Sequence, residues 1–67
     1  MDLRPPHVTE TEKPLRRKVA MAYRAACEAG MTDFPAREAA MAVYFEERPE
    51  ARADTLAASA RVAEMIA

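Results

Sequence analysis

Gly30 is the only glycine of the chain, and it separates two stretches in which apolar residues recur at helical spacing. Glycine enters the left-handed backbone conformation that ends many helices without a steric penalty. The position therefore predicts that a first helix, running from about Glu12 to Ala29, ends here. Pro49 lies beyond the second stretch and predicts another break, because proline lacks the backbone N–H that a helix interior needs.

Thr11 is the expected N-cap of the first helix. With that cap Pro14 lies in the first turn, where the backbone N–H groups have no helical partners anyway. Pro5 and Pro6 favour extended polyproline II structure. We therefore expect residues 1–10 to form a flexible tail and residues 11–67 to form a single three-helix domain. One apolar stripe is expected along the first helix: Leu15, Val19, Ala22, Tyr23 and Ala26.

The second helix is expected to run from a cap at Thr32 or Asp33 to about Glu47, and it is apolar on nearly every side. A helix of this kind is normally buried on several sides. We do not expect two neighbouring helices in so short a chain to cover it fully, which favours a partner. The third helix is expected to begin at Pro49 or near Asp54. Its predicted stripe is Leu56, Ala60, Ala63 and Ile66 or Ala67, with Val62 and Met65 beside it.

Short connections between helices favour antiparallel neighbours. The predicted fold is therefore all-α, a small three-helix bundle. The alternative is a helical hairpin whose third helix packs against another subunit. The chain has 67 residues and one cysteine, so no internal disulfide can reinforce its core. A core of this size rarely supplies more than about 3–5 kcal/mol on its own, which again favours association.

The sequence offers no recognisable catalytic constellation. Cys27 is expected to be a small buried hydrophobe, because a reactive thiol needs a nearby base or cation. His7 lies in the expected tail, and Ser59 has no histidine near it in the sequence. A single glycine excludes the glycine-rich loops that bind phosphate. We predict no catalytic residue, no cofactor and no metal, and hence a protein that is not an enzyme.

Two charged clusters could bind ions or partners: an acidic cluster around the end of the second helix and a basic cluster on the first helix. The acidic cluster lacks the spacing and the central glycine of a calcium-binding loop, so we expect a solvated helix end. The basic cluster should fan around the first helix, with an acidic partner as the alternative to plain solvation. The net charge of −1 gives no general attraction to nucleic acid or to membranes. The acidic cluster is Glu46, Glu47, Glu50 and Asp54, and the basic cluster is Arg16, Arg17 and Lys18 with Arg24 further along.

The stretch from Ala26 to Thr32 has the spacing of a helix-turn-helix, in which the following helix reads the major groove of DNA. Here that helix offers one cation, Arg37, beside several carboxylates. A nucleic-acid-binding regulator is therefore an alternative, and nucleic acid is an unlikely partner.

The sequence favours a non-catalytic helical interaction module: a small accessory subunit, an adaptor or an inhibitor of a larger complex. Its partner is expected to be another protein; self-association with a second copy is a further alternative. No apolar stretch resembles an export signal or a membrane span, so we expect a cytoplasmic protein. Abundant alanine and arginine suggest a bacterial source. The predicted contact residues combine aromatic and arginine anchors: Tyr23, Arg24, Met41, Tyr44, Phe45 and Arg48.

Overall fold

The computed structural model describes residues 8–67, with side chains from Glu12 onward. Helix α1 spans Val8–Glu28, α2 spans Asp33–Glu47 and α3 spans Thr55–Ile66. A short 3-10 helix, Pro49–Ala53, joins α2 to α3, and no strand occurs in the described range. The prediction of an all-α three-helix bundle is confirmed. Residues 1–7, including His7 and most of the expected tail, lie outside the described residues.

Helix α1 begins at Val8, before the expected start at Glu12, so Pro14 lies inside the helix. The ring nitrogen of Pro14 cannot donate to the carbonyl one turn earlier, which weakens the helix at this point. The carboxylate of Glu12 accepts a 2.6 Å hydrogen bond from the guanidinium of Arg61 on α3. This ion pair lies on the N-terminal side of Pro14 and stabilises the turn that the proline weakens.

The end of α1 at Gly30 is confirmed. Gly30 has a φ of 99°, the only positive φ among the described residues. The N–H of Met31 donates to the carbonyl of Ala26 at 3.0 Å, and the N–H of Gly30 donates to the carbonyl of Cys27 at 3.0 Å. These two bonds form a Schellman motif, which satisfies carbonyl groups that the helix end leaves without partners.

The core lies where all three helices meet. Leu15, Val19 and Ala26 of the predicted α1 stripe are buried, and the other two members are half-buried, so this stripe is confirmed. Val19 and Val62 are the largest fully buried side chains. Alanines supply much of the remainder, which keeps the core thin. The main cluster is Leu15, Val19, Ala40, Tyr44, Ala58, Val62 and Met65.

The predicted stripe of α3 is wrong for Leu56 and Ala60, although Ile66 at its end is half-buried against the core. Ala58, Val62 and Met65 face the core, whereas Leu56 is 82% exposed and Ala60 is exposed. Both sets recur at helical spacing and lie on roughly opposite sides of the helix, because successive residues turn by about 100°. The observed rotation buries Val62 and Met65 in the core. Asp54 follows the 3-10 helix and caps α3, because its carboxylate accepts a 3.1 Å bond from the N–H of Ala57.

None of the helices in the described part of the chain is both long enough and apolar enough to cross a bilayer.

Candidate functional site

The residues predicted to contact a partner do not form one surface in the structure. Tyr44 is a core residue with 8% of its surface exposed, so its ring is not available to a partner of the folded chain. The reason is its position on α2 in line with Ala36 and Ala40, the other two buried residues of that helix. Tyr44 and its neighbour Phe45 were both predicted as contact residues because they are aromatic, but only Phe45 reaches the surface.

Tyr23 and Arg24 lie on α1, and they differ in their environment. Arg24 is exposed, whereas Tyr23 is half-buried and its hydroxyl donates a 2.6 Å hydrogen bond to Asp33 at the start of α2. This bond, the neighbouring Cys27 thiol and partial desolvation raise the pKa of Tyr23 to about 12. Tyr23 therefore stays protonated and is engaged within the α1–α2 hairpin.

Met41 and Phe45 belong to an outward stripe of α2 that also contains Phe34 and Glu38, here named the Phe34–Phe45 stripe. The four residues follow one another at helical spacing. Phe34 is 70% exposed, and Met41 and Phe45 are half-buried. Phe34 was not predicted as a contact residue, although its spacing from Met41 and Phe45 places it on the same side of the helix.

Arg52 extends the stripe from the 3-10 helix. Its guanidinium carbon lies 5.3 Å from the centroid of the Phe45 ring, within the range of a cation–π interaction. A shallow groove of about 320 Å³ is formed by Arg52 together with four residues of α2: Glu38, Met41, Ala42 and Phe45. The α2 sequence alone gave no sign of Arg52, because the 3-10 turn brings it back over Phe45.

Arg48 lies in a different place. It lines a cleft of about 330 Å³ that also contains Glu12, Asp54 and Arg61. Arg61 is already paired with Glu12, and Asp54 caps α3, so much of the charge in this cleft serves the fold. The mixture of both signs gives the cleft no clear preference for an anion or a cation.

The residues that could carry chemistry are scattered. Cys27 is exposed, which corrects the expectation of a buried thiol. The next residue along the chain from the buried Ala26 lies about 100° around the helix, so Cys27 points away from the core. Ser59 is exposed on α3. Within residues 12–67 no three histidine, cysteine or carboxylate side chains come together in a way that could hold a metal ion.

The charged clusters are divided among different contacts. Lys18 forms a 3.0 Å ion pair with Glu47, which joins α1 to α2. Arg16 and Arg17 are exposed on other sides of α1, so the basic residues fan around the helix as expected. Outward from the core, α2 displays the Phe34–Phe45 stripe, in which Glu38 is the one charged residue. A helix that reads DNA displays a basic and polar face instead.

Comparisons of this chain with protein-family models, with curated proteins and with solved structures found no match. Among the described residues, the Phe34–Phe45 stripe with Arg52 combines exposed aromatic area with a positioned arginine.

Proposed function

We propose that this chain is a non-catalytic helical interaction module that binds another protein through the Phe34–Phe45 stripe and Arg52. A small accessory subunit, an adaptor and an inhibitor of a larger complex all fit this role.

The exposure of Phe34 carries the proposal. A phenylalanine ring that is 70% exposed leaves most of its apolar area in water. Full burial of such a side chain contributes about 1.5–3 kcal/mol. Met41 and Phe45 continue the apolar surface along the same side of α2. A partner that covers this stripe therefore gains apolar contacts with Phe34 at one end and with Met41 and Phe45 at the other, on either side of Glu38.

The neighbouring groups indicate what the partner surface should look like. Met41 is unbranched and adapts to the shape of an opposing side chain. The guanidinium of Arg52 is held at the Phe45 ring, where it can donate hydrogen bonds to a carboxylate at the edge of the contact. We expect an apolar partner surface with an acidic residue at its rim.

The placement of the potential nucleophiles supports the non-catalytic part of the proposal. Cys27 lies at the end of α1 and Ser59 on α3, and both are exposed. A nucleophile needs a base within hydrogen-bond reach. No hydrogen bond between described side chains joins either residue to a carboxylate or a histidine.

The test is a binding titration against the partner, first captured from the native source after nuclease treatment and then purified. Phe34→Glu should weaken binding at least about tenfold, or about 1.4 kcal/mol, because it places a charge in the apolar contact. Phe34 is a better position for this test than Phe45, because a charge at the more exposed side chain disturbs the fold less. Helicity measured by circular dichroism should be unchanged.

Met21→Glu is the matched control, since Met21 is 60% exposed and lies on a different side of the hairpin. It should bind the partner with the affinity of the parent chain. Equal binding by Phe34→Glu and the parent chain would remove the stripe from the interface.

A further inference from the structure

A second apolar surface lies between α1 and α2, away from the Phe34–Phe45 stripe. It is a shallow groove of about 430 Å³, here named the hairpin groove. No residue of α3 contributes to it, so the third helix leaves this side of the hairpin uncovered. Met21 is the most prominent apolar side chain, with 60% of its surface exposed. The lining residues are Lys18, Met21, Ala22, Val43, Glu46 and Glu47.

Small residues continue the groove along both helices. Ala25 lies one turn beyond Met21 on α1, and Ala39 lies one turn before Val43 on α2. Alanines on both sides allow another helix to approach closely, because they project little beyond the backbone. The surface thus has a projecting side chain, Met21, beside a shallow depression lined by Ala22 and Val43.

The charges of the groove are divided by helix. The α1 side carries Lys18 and the α2 side carries Glu46 and Glu47. Lys18 pairs with Glu47 within the chain, whereas Glu46 forms no ion pair with another described side chain. Lys18 and Glu47 thus lie at the same level along the helices, and Glu46 beside them is the charge of the groove that an opposing cation could still pair with.

We propose that a second copy of this chain docks on the hairpin groove, related by a two-fold axis parallel to the helices. In that arrangement α1 of each copy packs on α2 of the other. The two hairpins then form a four-helix bundle in which neighbouring helices are antiparallel. A two-fold contact uses the same patch on both copies, so the patch must complement itself. The hairpin groove meets this requirement.

The axis direction follows from the charges. With the axis parallel to the helices, Lys18 of each copy faces Glu46 of the other, and Met21 of each copy enters the depression beside Val43 of the other. With the axis across the helices, α1 stacks on α1 and the glutamate-bearing edges of α2 face each other, which costs energy. Complementary charge therefore selects the first arrangement over the second.

The hairpin groove shares no residue with the Phe34–Phe45 stripe. The dimer and the partner contact are consequently separable by mutation, and the failure of one leaves the other standing.

Sedimentation equilibrium from about 10 µM to 1 mM should show the mass rising from 7.4 kDa towards twice that value. Met21→Glu should raise the dimer dissociation constant at least about tenfold, because it buries a charge without a partner. Phe34→Glu, the matched control, should leave the dimer unchanged. Circular dichroism should show that both variants keep the parent helicity.

A charge-reversal pair tests the axis. Lys18→Glu alone and Glu46→Lys alone should each weaken self-association, because like charges then face each other. Mixed in equal amounts, the two variants should form a heterodimer. The two reversed charges then face each other across one contact, and the unaltered Lys18 and Glu46 still pair across the other. A mixture that associates no better than its components would overturn the axis.

Three results would overturn the dimer itself. The first is a parent chain that remains at 7.4 kDa throughout the concentration range. The second is a dimer that Met21→Glu leaves intact. The third is loss of partner binding by Met21→Glu in a monomeric chain, which would assign the hairpin groove to the partner instead.

Discussion

The hydroxyl of Tyr23 donates a 2.6 Å hydrogen bond to the carboxylate of Asp33, joining the C-terminal half of α1 to the first residue of α2. The Nε of Arg37 donates to the other carboxylate oxygen of Asp33 at 2.9 Å. Asp33 is therefore held by one group from each helix of the hairpin. The two bonds fix how α2 leaves the turn at Gly30.

The first prediction is the titration of Tyr23. Its pKa is raised from 10.0 to about 12, chiefly by the hydrogen bond to Asp33. Asp33→Asn removes the carboxylate, so the pKa of Tyr23 should fall towards 10.0. Residue-specific NMR of the tyrosine ring measures both values. A Tyr23 pKa that does not respond to Asp33→Asn would contradict the assignment of the cause.

The second prediction is the loss of stability in alkali. The folded chain holds the Tyr23 proton more tightly than the unfolded chain does, since the pKa is raised on folding. This contribution is fully present below pH 10.0 and is lost as the pH rises through about 12. Tyr23→Phe should flatten the alkaline decline in urea-unfolding experiments. The carboxyl of Asp33 behaves oppositely: its pKa is lowered by the bonds from Tyr23 and Arg37, so its contribution is lost in acid.

The third prediction concerns Gly30. A Cβ at this position meets no atom within 4 Å, so Gly30→Ala creates no clash. The φ of 99° is nevertheless costly for any residue with a side chain. We expect Gly30→Ala to lower the free energy of unfolding by about 1 kcal/mol through backbone strain alone. Gly30→Asn should lose less, because asparagine tolerates the left-handed region. Equal stability of all three chains in thermal melts would contradict this account.

Much of the architecture was readable because the signals were local. Periodicity identified Leu15, Val19 and Ala26 on α1, and the lone Gly30 marked its end. Because of Pro14, the predicted start of α1 lies too late in the chain. The ion pair that stabilises this turn joins Glu12 to Arg61 of α3, so it cannot be read from the local sequence.

The contact surface was less predictable, because neighbouring residues of similar chemistry separate only in three dimensions. Tyr44 and Phe45 are adjacent aromatics, and packing against α1 and α3 draws only the first into the core. Arg52 reaches Phe45 through a 3-10 turn that no periodic pattern describes. Phe34 and Met41 could have been joined by spacing, which shows that the stripe itself was accessible to sequence reasoning.

The fourth prediction is the reactivity of Cys27. The thiol is exposed in the folded chain, so a thiol reagent should label it without unfolding. The labelling rate in native buffer should be within about tenfold of the rate in denaturant, since no opening step is needed. A buried thiol would instead be protected by the full unfolding free energy. Strong protection would place Cys27 inside, as its position beside the α1 stripe had suggested.

The last prediction decides the rotation of α3. Val62 is 1% exposed, and Val62→Ala removes two buried methyl groups, which should cost about 2 kcal/mol of unfolding free energy. Leu56→Ala removes more carbon, but Leu56 is 82% exposed, so the change should stay within about 0.5 kcal/mol. Urea unfolding of the two variants beside the parent chain gives both differences. The reverse order of cost would mean that Leu56 faces the core. The helix would then be turned by roughly half a revolution, with Val62 and Met65 on the side away from the core.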